Sequence, residues 1–339
     1  MKRRCSIAGA TLVAAMLALA PAAQAEPTTL RVHGALLAVD PSSKALEIFK
    51  REAERLSDGT LAFEVTTDPA PNGTRGLVDE IRNQNMFGIV VGASYLSRLV
   101  PEIGALGLPF VFDNFDQVVR ALKGPAGAAI EARLAAKGFT TLCWMNWGAL
   151  NVLNGRRPLR TPGDIKGLKL RVQPNETKLA IFRAMGANPV AMDFKDLLPA
   201  LRQGDIDGLD LPYTAMEDLK LYEYEKYLSN SAHTYDLLVF IVNKKAFMGL
   251  QINEQKAIRD AAAIACPQQW KMAAERETAA LEDLKEKGMQ FDPLPPETRL
   301  ALRKATAGVV VDVRKRLGDR LVDAVLTAAG AGAGKRSGH

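Results

Sequence analysis

Histidine and cysteine are scarce in this sequence, where each occurs three times among 339 residues. None of them has the Cys/His spacing that is typical of a metal site. A Gly-rich loop that would cradle nucleotide phosphates is also missing from the sequence. We therefore expect no metal, no cofactor and no use of ATP.

A strong excess of charge of one sign is missing as well. Lys and Arg number 44 against 38 Asp and Glu, which gives a formal net charge of +6. Removal of residues 1–25 would take away three basic and no acidic residues, so that 41 minus 38 leaves +3. Basic and acidic residues alternate along the chain rather than cluster, so we expect no nucleic-acid partner.

The N-terminal apolar run, residues 7–20, is shorter than the roughly 20 residues that a membrane-spanning helix needs. Lys2, Arg3 and Arg4 precede it, and the small-residue site 23–25 (AQA) follows it. This order predicts a cleavable signal peptide over residues 1–25 and a mature periplasmic chain. Cys5 precedes the apolar run, so it is not a lipoprotein acylation site of the usual kind.

A mature chain of roughly 310 residues is larger than one core usually supports, so we expect two lobes. Only Cys143 and Cys266 remain after cleavage. Cys143 lies in a strand-like run and Cys266 in a helical stretch. A disulfide is an option in an oxidising compartment, but two buried free thiols are the favoured interpretation.

Short strand-like runs alternate with helical patterns, which predicts an α/β fold. Helical spacing extends over residues 253–287, where Pro267 is expected to end, kink or restart the helix. A further amphipathic helix is expected from Val309 to Val325. The Gly- and Ala-rich end, residues 329–339, is predicted to be a disordered tail.

Seven segments together resemble one known family. They are residues 107–112 (GLPFVF), 168–173 (LKLRVQ), 185–194 (MGANPVAMDF), 200–208 (ALRQGDIDG), 220–228 (KLYEYEKYL), 233–235 (HTY) and 242–247 (VNKKAF). In this order they are similar to the DctP-like solute-binding proteins of tripartite ATP-independent periplasmic (TRAP) transporters. The resemblance covers roughly residues 28 to 290.

The resemblance implies a type II periplasmic-binding fold, with two α/β lobes joined by a β-strand hinge and a long helix shared by both. The expected lobes are residues 26–150 with 237–265, and residues 151–236 with 290–328. Residues 266–289 are expected to pack across both lobes. The resemblance also implies a monomeric, non-enzymatic receptor that delivers a small organic acid to the small and large membrane subunits of an ion-driven permease.

Arg171 occupies the family position whose arginine pairs with the ligand carboxylate. A planar guanidinium suits that role because its parallel donors match both carboxylate oxygens. Phe194 matches the family's aromatic position beside the bound solute, and Tyr213 follows in a loop that faces the cleft in relatives. Trp147 is expected either to add an aromatic wall or to be a hinge or core residue.

Two positions depart from the family pattern. Leu150 stands where many relatives have a second arginine, and Leu211 falls where relatives commonly have an amide. Loss of these polar groups predicts a monocarboxylate with an apolar or aromatic body, because a second desolvated carboxylate would lack compensation. Arg75 is an alternative source of positive charge, so a C4-dicarboxylate or a keto acid stays open.

Other functions fit the sequence less well. His33 and His233 are possible acid–base groups for an enzyme, but no Ser/His/Asp, Cys/His or metal constellation has a recognisable spacing. The family motifs argue against an ATP-driven importer. A ligand-sensing input to a signalling system stays open, because recognition and lobe closure would look the same from the sequence.

Overall fold

The computed structural model describes residues 26–34, 36–67, 70 and 72–330. The predicted signal peptide and residues 331–339 of the predicted tail lie outside the described residues. The strands are Thr28–Gly34 (β1), Leu61–Thr66 (β2), Gly88–Gly92 (β3), Phe139–Asn154 (β4), Lys169–Val172 (β5), Asn188–Ala191 (β6), Gly208–Leu211 (β7), Tyr227–Asn243 (β8) and Gln290–Asp292 (β9). The helices are Pro41–Leu56 (α1), Gly73–Arg82 (α2), Phe115–Lys123 (α3), Pro125–Ala136 (α4), Glu176–Ala184 (α5), Leu197–Gln203 (α6), Tyr213–Asp218 (α7), Lys244–Met248 (α8), Ile252–Glu286 (α9), Pro296–Ala305 (α10), Ala307–Leu317 (α11) and Asp319–Ala328 (α12).

The strands form one mixed sheet in the order β2-β1-β3-β8-β4-β7-β5-β6, with β9 beside β8. On one side β1 pairs in parallel with β2 and β3, and on the other side β5 pairs in parallel with β6 and β7. The long strands β4 and β8 pair antiparallel along their lengths and join these two sets. The predicted α/β fold, with two halves joined through long strands, is thereby confirmed.

Helices cover both faces of the sheet because its buried strands are apolar on both sides. In β3, Ile89 and Val91 belong to the cluster that includes α4, α5 and α12, whereas Val90 belongs to the cluster that includes α1 and α9. On the second face Phe49 of α1 packs edge-on against Phe240 of β8, with ring centroids 4.8 Å apart. This alternation follows the two-residue period of a strand.

The long helix α9 runs without interruption through Pro267, so the expectation that the helix ends or restarts there is wrong. Pro267 and Ala263, four residues earlier, are both exposed, which leaves the unbonded Ala263 carbonyl open to water. On the buried side, Gln269 accepts a hydrogen bond from the Asn146 N–H at 2.8 Å and donates to the Asn146 carbonyl at 2.7 Å. These bonds hold the helix to β4 beside the proline.

Helix α9 contacts α1 of one half and α7 of the other, as the expected shared helix should. It is 35 residues long, but none of the helices in the described ranges is long and apolar enough to cross a membrane.

Cys143 and Cys266 form a disulfide that links β4 to α9, with their Cα atoms 6.5 Å apart. The prediction of two free thiols is therefore wrong. The two cysteines do lie in separate elements, a strand and a helix, but the sequence pattern does not show that α9 lies against β4. The bridge closes a sequence separation of 123 residues.

The expected helix from Val309 to Val325 is two helices, α11 and α12, separated at Gly318. Gly318 has φ of +90°, a left-handed value that favours glycine and ends α11. Helix α11 packs against α5, whereas α12 packs against α3 and α4. The assignment of residues 290–328 to a single lobe stays a prediction.

The disulfide generates a stability prediction. Cys143→Ala with Cys266→Ala should lower the free energy of unfolding by about 2–5 kcal/mol, because a long cross-link restricts the unfolded chain. Urea denaturation of the oxidised wild type and the double variant measures the difference. Wild type kept in reducing agent should match the variant, and equal stability of oxidised and reduced wild type would contradict the prediction.

Candidate functional site

Strand ends from the two halves of the sheet converge on one place. Strand β3 advances along β8 from Val242 to Leu238, and β7 advances along β4 from Asn154 to Asn151. Both strands therefore point their carboxyl ends toward the central stretch of the β4–β8 pair, residues 146–150 and 234–237. In α/β sheets this is the usual position of a ligand.

Arg171 of β5 lies at this convergence and has no exposed surface. Its Nε donates to the Met192 carbonyl at 3.1 Å, and its Nη2 donates to the Tyr95 hydroxyl at 3.0 Å. Tyr95 follows β3, so the contact joins the two halves. Within the described part of the chain Arg171 forms no salt bridge, and its Nη1 has no hydrogen-bond partner. A buried guanidinium without a directly bonded carboxylate is costly, so the position suits an anion.

Three more buried donors at this convergence lack a partner among the described residues: Trp147 Nε1, Gln173 Nε2 and Tyr213 Oη. Trp147 lies in the central stretch of β4, Gln173 follows β5, and Tyr213 begins α7 after β7. Gln173 Nε2 lies 3.4 Å from the point where a Cβ on Gly92, the last residue of β3, would be. Buried donors are normally bonded, so these groups are candidates for contact with ligand oxygens.

The other sequence-predicted residues of the cleft lie nearby. The ring of Phe194 is half-buried and meets Trp147 edge-on, with centroids 6.5 Å apart. Leu150 and Leu211 are fully buried, and Leu211 pairs with Asn151 in the β4–β7 register. Phe194 therefore contacts Trp147, and Leu150 and Leu211 lie on the two strands that meet at this convergence.

Arg75 is placed elsewhere. It lies in α2, is exposed, and lines a surface groove together with Arg98 and Arg316. It is therefore not the second cation of the buried site that the sequence left open.

A second buried cation, Lys178 of α5, escaped the sequence analysis. Its Nζ forms a salt bridge with Asp236 of β8 at 2.8 Å, and it also bonds the Gln173 side-chain oxygen. Ser94, after β3, donates to the other Asp236 oxygen at 3.4 Å. Lys178 lies outside the seven family motifs, so only its position in the first turn of α5 could have indicated it.

His233 lies between Ser231 and Asp210, an arrangement that resembles a hydrolase triad. Its Nδ1 is 2.9 Å from Ser231 Oγ, and its Nε2 is 3.3 Å from Asp210 Oδ2. All three side chains are buried, and Ser231 Oγ also accepts the Val152 N–H. The expected structural role of His233 fits this burial better than catalysis does.

Asp210 adds a negative charge to the site. Burial acts to raise the pKa of Asp210, but the His233 hydrogen bond and the positive charges of Lys178 and Arg171 outweigh it and lower the pKa. The carboxylate is therefore ionised. No group of three or more His, Cys, Asp or Glu residues within the described ranges could hold a metal ion.

Glu277 of α9 positions the Tyr213 end of the site. Its carboxyl group lies near the backbone N–H groups of Tyr213 and Thr214, at the beginning of α7, and its Oε2 is buried without a hydrogen-bond partner among the described residues. Gly148, with φ of +136°, permits this close approach, because a Cβ there would lie 2.9 Å from the Cβ of Pro212 and 3.4 Å from Glu277 Oε2. Burial raises the pKa of Glu277 to about 7, although the nearby N–H groups of Tyr213 and Thr214 act to lower it.

Proteins with similar sequences are solute-binding proteins, which agrees with a buried anion site at the strand ends. The family model described as bacterial extracellular solute-binding protein, family 7, matches residues 34–316. The 2,3-diketo-L-gulonate-binding periplasmic protein YiaO of Escherichia coli (strain K12) is 28% identical over 251 residues, 74% of this chain and 76% of that protein. The C4-dicarboxylate-binding periplasmic protein DctP of Rhodobacter capsulatus is 27% identical over 328 residues, 95% of this chain and 97% of that protein.

Among solved structures, the sugar acid binding protein of Advenella mimigardefordensis strain DPN7T in complex with galactonate superposes with a TM-score of 0.87. The two chains are 31% identical, and the match covers 91% of this chain and 99% of the other. The predicted type II periplasmic-binding fold is confirmed by this similarity.

Glu277 generates a pH prediction. Between about pH 4.5 and 7 the Glu277 carboxyl group is ionised in the unfolded chain but still protonated in the folded chain. The free energy of unfolding therefore falls as pH rises through this window. Glu277→Gln should therefore gain stability over wild type across this window, on the order of 1–3 kcal/mol, and no further gain should occur above it. Thermal unfolding from pH 4 to 9 measures the difference. Glu275→Gln, on the exposed face of α9, is the control, and a pH-independent difference for Glu277→Gln would contradict the assignment.

Proposed function

Since this chain belongs to the bacterial extracellular solute-binding proteins of family 7, and is a receptor of TRAP transport for small acids rather than an enzyme, we propose that its ligand is a hydroxylated monocarboxylate. Sugar acids and related keto acids belong to this class. The ligand would lie between the two halves of the sheet, at the convergence of strand ends around Arg171.

The observation that carries the proposal is the unpaired guanidinium. Arg171 is fully buried, bonds only a carbonyl and a hydroxyl, and keeps Nη1 without a partner in the described chain. A carboxylate would supply both a directly bonded negative charge and an acceptor for Nη1. This favours one carboxylate at Arg171.

The charges around it disfavour a second carboxylate. Lys178 is the other buried cation near the strand ends, and Asp236 already neutralises it at 2.8 Å. Asp210 is ionised and would repel an additional negative group. A dicarboxylate would therefore have to displace Asp236 from Lys178 or remain poorly compensated.

The neutral donors favour a ligand that carries further oxygens. Trp147 Nε1, Gln173 Nε2 and Tyr213 Oη are buried without partners among the described residues, and an apolar ligand body would leave them so. An unsatisfied buried polar group costs about 1–3 kcal/mol, which hydroxyl or keto groups would recover. The sequence-based expectation of an apolar or aromatic body therefore gains no support here and stays a prediction.

The relatives support this ligand class and the cellular setting. The names of the Escherichia coli and Rhodobacter capsulatus relatives describe periplasmic proteins. Galactonate and diketogulonate each combine one carboxylate with several oxygens, whereas the Rhodobacter capsulatus relative is named for C4-dicarboxylates, the alternative ligand class. We place this receptor in the periplasm, where it would deliver its ligand to the membrane subunits of a TRAP permease.

The first binding prediction concerns Arg171. Arg171→Ala should lower affinity by about 2–5 kcal/mol, roughly 30-fold to several-thousand-fold in Kd, because the ligand carboxylate would be buried without its cation. Arg171→Lys should also bind weakly, because it keeps the charge but loses the planar pair of donors. Calorimetry measures both affinities.

Arg202 provides a matched control for Arg171. It lies in the same half and its Nη2 also donates to a tyrosine hydroxyl, Tyr224 at 3.0 Å, but it is exposed. Arg202→Ala should leave Kd unchanged. Wild-type affinity in a folded Arg171→Ala variant would remove Arg171 from the site.

The second binding prediction concerns ligand class. Galactonate should bind more tightly than succinate or benzoate in calorimetry, because only galactonate offers one carboxylate together with partners for the neutral donors. Tyr213→Phe should weaken galactonate binding by about 1–3 kcal/mol and leave the much weaker benzoate binding unchanged. Tightest binding of succinate would instead support a dicarboxylate receptor, and tightest binding of benzoate would support the apolar-body expectation.

A further inference from the structure

A surface groove of about 380 Å³ contains three arginines from separate parts of the chain. Arg75 comes from α2, Arg98 precedes the turn at Pro101–Ala105, and Arg316 ends α11. The other residues that line the groove are Ser97, Pro101, Gly104, Pro174, Asn175, Glu176, Thr177, Leu179 and Ala191.

The groove has an uncompensated positive charge. Arg75 and Arg98 form no hydrogen bond or ion pair with any other residue that the structure describes, and Arg316 donates to the neutral Thr177 hydroxyl at 3.2 Å. Glu176 is the one acidic residue in the lining, against three arginines. Other surface arginines are paired with acids, for example Arg156 with Asp207 at 2.8 Å and Arg160 with Asp292 at 2.9 Å.

The groove lies directly outside the candidate ligand site. Pro174 in its floor follows Gln173, which carries one of the unpaired donors, and Ala191 precedes Met192, whose carbonyl accepts the Arg171 Nε. Gly104 and Thr177 meet there, because a Cβ on Gly104 would be 2.7 Å from Thr177 Oγ1. Gly104 belongs to the half that contains β3, and Thr177 belongs to the half that contains β5. The groove is therefore a surface at which the two halves meet beside the candidate site.

We infer that this arginine groove is an electropositive vestibule, which attracts the anionic ligand and directs it to Arg171 before the two halves close. This inference rests on the proposed function. Arg171 has no exposed surface, so entry requires the halves to separate, and the three arginines would then flank the opening. Clefts lined by one sign of charge concentrate oppositely charged ligands and raise association rates by about 10- to 1,000-fold.

The kinetic test uses the full mature chain with Arg75→Gln, Arg98→Gln and Arg316→Gln combined. Stopped-flow tryptophan fluorescence gives the association and dissociation rate constants for galactonate, or for succinate if it binds more tightly. At about 20 mM salt the association rate constant should fall about tenfold, whereas the dissociation rate constant should change less than about twofold. At about 500 mM salt, where the screening length is a few ångströms, the variant and wild type should converge.

A matched control removes the same net charge elsewhere. Arg183, Arg303 and Arg320 are exposed and lie outside the groove, and their combined change to Gln should leave the low-salt association rate constant unaltered. Equal loss in both triple variants would show an effect of net charge alone and would overturn the vestibule. A faster dissociation with unchanged association would also overturn it, because the arginines would then be direct ligand contacts.

A ligand-independent measurement separates the vestibule from the proposed function. A nitroxide attached to Ser97→Cys reports collisions with trianionic chromium oxalate and with a neutral nickel complex. The ratio of anionic to neutral collisions should fall when the three groove arginines become Gln, and an unchanged ratio would overturn the inference. If none of the three acids binds to wild type, the proposed function fails by itself and this ratio decides whether the groove gathers anions.

Discussion

The antiparallel pairing of β4 with β8 is the interaction on which the rest of the structure depends. These two strands connect the halves of the sheet, and every other strand is placed by its register with them, directly or through one neighbour or two. The register also sets the direction of β3 and β7, whose carboxyl ends face each other across the central stretch. Helix α9 is held to the same pair by the disulfide, by Gln269 and by Trp270, whose Nε1 donates to the Trp144 carbonyl at 2.8 Å.

Much of the fold was predictable because local patterns and family motifs agree. The alternation of strands and helices, the long helix and the importance of Arg171 all follow from short sequence segments. The errors arose where distant residues meet or where one residue changes a local pattern. Cys143 and Cys266 are separated by 123 residues, and their pairing depends on how α9 lies on β4. Pro267 is tolerated because it faces solvent, and Gly318 divides a helix that apolar spacing alone extends.

In the candidate site, too, some residues are predictable from local motifs and others only from their three-dimensional contacts. Arg171 and Phe194 were identified from motifs, whereas Gln173 and Lys178 acquire meaning only from the atoms around them. The polar groups lost at Leu150 and Leu211 predict a ligand with an apolar or aromatic body. Burial adds an observation that favours a polar ligand, because Trp147, Gln173 and Tyr213 keep donors that no described protein atom satisfies. The donors of Trp147 and Tyr213 belong to aromatic side chains, which a sequence pattern counts as apolar.

The position of these donors at strand ends separates two tasks that many proteins combine. The apolar clusters lie along the strands and hold the framework together, while Gln173 and Tyr213 come directly after β5 and β7. Gln173 belongs to neither apolar cluster, so a substitution there would alter recognition and leave the apolar layers on both faces of the sheet in place. Single substitutions at residues that follow a strand and lie outside the apolar clusters can therefore change which ligand the receptor prefers. The receptor stays folded at each such step, because the apolar layers are unchanged.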